Sequence, residues 1–304
     1  MTRISTYAAN QSALMDLMRA QKNMFDAQQQ LSSGKLATDL KGIGYQAESL
    51  SASRAALERA KSYEEAAMRT GARLEAQNIA LEQMGDAVSN LRTSVTSKEG
   101  DYIMHQVREA FYEITNALNT KHSGVYLFGG TRSDVTPVNV SNLSDLVPLA
   151  SANDVFENNQ RTPVVQLDQG YTLDVGMLAS DVGGEVMAAF KRIADFDAGA
   201  NGPFASPLTA AQDAFLTSEI QNVITALDNL YVRVGENGSK QTQVENLKNS
   251  HVDRQDFLTL MISDIEDADM AEAANRFQQA QTAVDVSAVT FSTLNDVSLL
   301  PYLR

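Results

Sequence analysis

Five carboxylates crowd the start of one short stretch, SDIEDADMAEAANRFQQAQ: Asp264, Glu266, Asp267, Asp269 and Glu272. Acids at this density can hold a metal, move a proton, or start a helix. A metal needs oxygens that converge on one point. Asp264 and Asp267 share a helical face, but the next position on that face is Ala271, which offers no ligand. No glycine stands where a calcium-binding loop needs its sharp turn. The bland chemistry fits better. S-D-I-E is a capping box, with Ser263 at the N-cap and Glu266 three residues on. Asp264 and Asp267 then meet the positive end of the helix dipole. The expectation is a helix start at Ser263.

The other reactive residues are sparse. His105, His122 and His251 are not paired at helical spacing. His251 falls on an apolar seam and reads as an interface polar residue. No nucleophile elbow, phosphate loop or dinucleotide fingerprint occurs. The adjacent glycines of LFGGTRSD read as a turn. The sequence therefore predicts no enzyme, no cofactor and no metal.

Bulk composition narrows the partners. A formal charge of −14 repels nucleic-acid backbones and anionic lipid surfaces, so neither is expected as a partner. Cysteine is absent, which removes disulfides and thiol chemistry. No run is long and apolar enough for a membrane span. The first residues, MTRISTYAANQSALMDLMRAQ, lack the apolar core of a cleaved secretory signal. Export, if it occurs, is expected to use another route.

Long helices must position whatever these residues do. Leu14, Leu17, Gln21, Met24, Gln28 and Leu31 follow alternating steps of three and four, with Met18 and Phe25 widening the stripe. Gly34, Gly42 and Gly44 then break the helix. Helical character resumes near Tyr45 and lasts to about Lys121, loosening near Gly100. Its seam runs through Leu74, Leu81, Met84, Val88, Leu91 and Val95, then Ile103, Val107, Phe111, Ile114 and Leu118. Between Ser123 and Pro207 prolines and glycines accumulate. There VVQLDQGYTLDV reads as a β-hairpin and DVGGEVMAAFKRIADF as a short helix. From about Thr209 another seam passes Ile220, Val223, Leu227, Leu230 and Val234. VGENGSK is expected to interrupt it before a last helical run.

The predicted fold is mainly α: an elongated antiparallel bundle or coiled coil of N- and C-terminal helices with a small β-containing insert. Five segments are expected: an N-terminal arm and linker at 1–44, rod helices at 45–122, the insert at 123–207, returning helices at 208–262, and a C-terminal arm at 263–304. The two arms have like lengths, about 40–60 Å as helices, so they can lie antiparallel with their breaks level. Leu14, Leu17, Met24 and Leu31 would then meet Phe277, Val284, Phe291 and Leu294. Such arms have little body to bury against, and incomplete seams imply packing on other copies. An intracellular coiled-coil adaptor would also explain the heptads and the charge. A metal-dependent enzyme built on Asp264–Glu272 is a third class, which metal analysis of the purified protein would test.

Three stretches carry a resemblance. QQQLSSGKLATD near the N-terminus, ISDIEDADMAEAANRFQQAQTAV near the C-terminus and the ending LNDVSLLPYLR resemble the bacterial flagellin family. One departure is visible: Asp39 is followed by Leu40 and Lys41, where the family has adjacent acids. GVYLFGGTRSDVTPV and RTPVVQLDQGYTLDV are similar to the hook–filament junction branch of the family, with a flagellin-type filament subunit as the alternative. The resemblance implies a secreted, extracellular structural protein exported by the flagellar type III route. It implies self-assembly into a ring, with terminal helices forming an inner coiled-coil tube. The implied partners are another hook-associated protein on the hook side, flagellin on the filament side, and an export chaperone.

Overall fold

The computed structural model describes residues 2–132 and 134–296. It is mainly helical. Helix α1 (Thr2–Ser33) is followed by a short α2 (Leu40–Ile43), then α3 (Ala47–Ser97) and α4 (Gly100–Leu118). Two antiparallel strand pairs come next, β1 (Lys121–His122) with β2 (Val125–Tyr126), and β3 (Val164–Asp168) with β4 (Tyr171–Asp174). The chain closes with α5 (Ala179–Ala198), α6 (Ala210–Glu266) and α7 (Met270–Asp296). Among the described residues no helix is long and apolar enough to cross a membrane.

The chain packs as two units, Met1–Ala60 with Asp253–Arg304, and Lys61–Val252. The expected arms, 1–44 and 263–304, fall inside the first unit, which also takes in the adjoining ends of α3 and α6.

The second unit holds the large core. Every α3 and α4 seam residue expected from the sequence, from Leu74 to Leu118, is buried. From α5, Val186, Met187, Phe190 and Ile193 join that core, and from α6, Val223, Leu227 and Leu230. Phe111 meets Phe190 edge-on, with ring centres 5.5 Å apart. The GVYLFGG stretch supplies Leu127 and Phe128, both fully buried, and the Phe128 carbonyl accepts from the Ala179 amide that opens α5. Ser133, within the same resemblance stretch, lies outside the described residues, as do residues 297–304 of LNDVSLLPYLR.

The hairpin stands where the sequence placed it. Asp168 pairs with Tyr171 across Gln169-Gly170, and Gly170 takes φ +79°, which a glycine adopts without steric cost. Leu167, Leu173 and Val175 pack on Ala67, Leu74 and Val244. Two buried polar side chains fix it to the helices. Gln77 Nε2 donates to the Val175 carbonyl at 3.1 Å, and His251 Nε2 lies 2.8 Å from the Leu167 carbonyl. His251 also stacks on Tyr63. Its seam position is therefore a buried anchor within this unit.

One expected break does not occur. Helix α6 runs unbroken through VGENGSK. The glycines cost helix propensity, on the order of 1 kcal/mol each, but the segment is held by tertiary contacts. Asn237 Nδ2 donates to the Leu74 carbonyl at 2.8 Å, and Gln241 Nε2 reaches the same oxygen at 3.1 Å. Asn237, within the stretch that looked like a loop, and Gln241 just after it are the groups that tie α6 to α3.

Candidate assembly interface

Helices α1 and α7 pair antiparallel. Gly34, just past the end of α1, bonds Ala268, just before α7. At the other end Ala9, Ala13 and Asp16 line a shallow groove with Val286, Ser287 and Leu294.

The buried positions of α1 are Ala13, Ala20 and Ala27, one heptad apart. Leu17, Met24 and Leu31 alternate with them and are half-buried. Helix α7 repeats the pattern: Ala273 and Ala280 are buried, Phe277 is half-buried between them, and Val284, Phe291 and Leu294 are half-buried beyond them. Both helices thus carry a 3–4 repeat with a small residue once per heptad. A methyl group at that position lets the backbones approach near the short end of the usual 8–10 Å helix spacing. The larger side chains then straddle the seam instead of filling it.

Of the eight residues expected on the terminal seams, Leu17, Met24, Leu31, Phe277, Val284, Phe291 and Leu294 are half-buried. Leu14 is 43% exposed, because the buried row is the alanines one position earlier. Met18 and Phe25, expected to widen the seam, are 61% and 65% exposed. At 100° per residue Leu14, Met18 and Phe25 share one face, about 140° around α1 from the alanine row. Val286 and Val289 are likewise exposed on α7. The pair therefore has a filled inner seam and an unfilled outer apolar face.

The acidic cluster does other work than expected. Ser263 and Glu266 lie in the last turn of α6, so they end a helix and do not cap a start. The break falls at residues 267–269, and Asp269 is the cap of α7. Its carboxylate accepts from the amides of Ala271 and Glu272 at 2.8 and 3.1 Å. Helical bonding continues past Ser263 because Ile265 has a buried site to reach, beside Ile43 and Leu50. The Ser263 hydroxyl instead donates to the Asp267 carboxylate. Lys35 Nζ sits 2.7 Å from Asp267 and 3.6 Å from Glu266. Arg54 Nη2 meets Glu266 at 2.8 Å. The Lys35 ammonium and the Ser263 hydroxyl hold the Asp267 carboxyl below its usual range, and Asp267, then Glu266, raises the Lys35 ammonium above its own. Asp39, at the family departure, caps α2 through the Gly42 amide at 2.7 Å. Among the described residues no three histidine or acidic side chains are placed to hold a metal.

With this geometry in view, the C-terminal helices can be compared with known proteins. The model of the bacterial flagellin C-terminal helical region matches residues 217–303. The matched residues hold most of α6 and all of α7, including the break and the heptads described above. Solved structures extend the likeness across the fold. A Vibrio parahaemolyticus protein assigned to the flagellar hook-associated proteins superposes with a TM-score of 0.60 at 17% identity, covering 75% of this chain and 99% of that one. Bacillus cereus FlgL superposes with a TM-score of 0.54 at 14% identity, covering 70% of this chain and 98% of that one. At these identities the likeness is one of fold. No curated protein matches the chain in sequence.

Proposed function

We propose that the protein is a FlgL-like junction component of the bacterial flagellum, secreted and extracellular, which joins hook to filament by assembly and carries out no reaction. The observation that carries this reading is the pairing of the two chain ends. An alanine-lined seam closes α1 on α7, one of the two helices lies in the stretch similar to the flagellin C-terminal region, and Leu14, Met18 and Phe25 are left facing outward. Exposed apolar rows on a narrow helical pair are the surfaces that other copies cover.

In this reading the arms of several copies pack side by side, α1 and α7 of each presenting their outer faces to neighbours. The partners are further copies in a ring, a hook-associated protein on one side, flagellin on the other, and an export chaperone beforehand. The fold likeness to two hook-associated structures, over 75% and 70% of this chain, favours the junction over the filament. Labelling the protein on sheared surface appendages tests the choice. A junction component marks one band per filament at its base. Labelling along the whole filament supports a filament subunit instead, and label confined to the cytosol supports an adaptor.

A further inference from the structure

The glycine-rich stretch after α1 reads from sequence as a helix break and linker, but its geometry is that of a closed joint. Gly34 turns the chain out of α1 at φ +69°. The Leu36 amide then donates to the Glu266 carbonyl at 2.7 Å, and the Ala268 amide donates to the Gly34 carbonyl at 2.9 Å. The two bonds run in opposite directions between the two breaks, so neither forms unless both segments are in place. A bridge of two bonds is too short to persist alone in water. Two features hold it. Ile43, Leu50 and Ile265 make a small buried cluster beside it. Lys35, between the bonded residues, reaches both Asp267 and Glu266, while Arg54 takes the other contact with Glu266, whose side chain is only 13% exposed. Asp39 lines the same groove but is engaged by the Gly42 amide.

We infer that this is a charge-locked joint: Lys35, seated between Glu266 and Asp267, keeps the bridge shut, so the breaks after α1 and before α7 open and close as one event. An ordered arm at one chain end then implies an ordered joint at the other, and a partner that holds either break holds both. This inference stands on the joint alone and does not depend on where the protein assembles.

Hydrogen exchange on the full-length protein tests it at the two bridging amides. Leu36 and Ala268 are expected to exchange at matching rates. Raising ionic strength should speed both together, because exposed ion pairs are screened, while core amides such as Leu91 stay unchanged. Lys35→Met should accelerate both by about two- to fivefold, the worth of one exposed charge contact. The exchanged pair Lys35→Glu with Asp267→Lys should restore protection. Should Lys35→Met disturb the arms more widely, the salt titration of the unaltered protein decides alone. Independent exchange of the two amides, or rates indifferent to salt, overturns the inference.

Discussion

At the scale of single residues, alanine does the work that larger apolar residues advertise. Ala20 and Ala280 are buried where α1 meets α7, so Ala20→Leu forces methylenes into a closed seam. The expected cost is about 1–3 kcal/mol, read as a lower melting temperature of arm helicity by circular dichroism; an unchanged melt would place the seam elsewhere. This is also where the sequence misled. Leu14 and Leu17 have equal hydrophobic weight, and only the alanine row shows which one faces inward. The charges of the joint have their own signature. Asp267 is held below its ordinary range, so its contribution is present above the free-carboxyl value near 3.9 and disappears as pH falls through the lowered value. Lys35 is raised, so its share is present below the free-lysine value near 10.4 and disappears as pH rises through the raised one. The Leu36 and Ala268 amide resonances should therefore hold steady across the neutral range and shift at both extremes. A transition near neutrality would contradict the assignment of these charges.

At the scale of elements, the long heptad seams, the hairpin and α5 were legible because their periodicities are strong and their turn residues have one reading. The helix ends were not. Ser263 begins a sound capping box in sequence, yet α6 continues past it to bury Ile265, and Asp269 caps the next helix. VGENGSK has the composition of a loop, yet Asn237 within it and Gln241 just after it use their amides to bond α3. Local chemistry names candidate boundaries; tertiary contacts choose among them. Continuity of α6 has a direct consequence. A β-carbon added at Gly235 or Gly238 meets nothing within 4 Å, so Gly235→Ala and Gly238→Ala should each stabilise the protein by about 0.5–1 kcal/mol. Thermal or urea unfolding reads the gain, and a loss of stability would mean the helix is broken there.

At the scale of the molecule, the two units have unequal resources. Lys61–Val252 holds the large core, whereas the α1–α7 pair depends on a narrow alanine seam. Limited proteolysis of the isolated protein should accordingly remove material from both chain ends before it cuts the second unit. The mainly helical fold was legible at this scale, but the outward face was not, since deciding which apolar residues are left uncovered requires the register of the pair. That face is what other copies would cover. The most direct measurement replaces Met18 and Phe25 together by Asp in the producing bacterium and asks whether the exported protein enters the surface appendage. Both side chains are more than half exposed in the single chain, so the variant should fold with unchanged helicity. The variant should appear in the medium and be absent from sheared appendages. A folded variant that incorporates as efficiently as the original, with stable filaments, would contradict the proposed assembly.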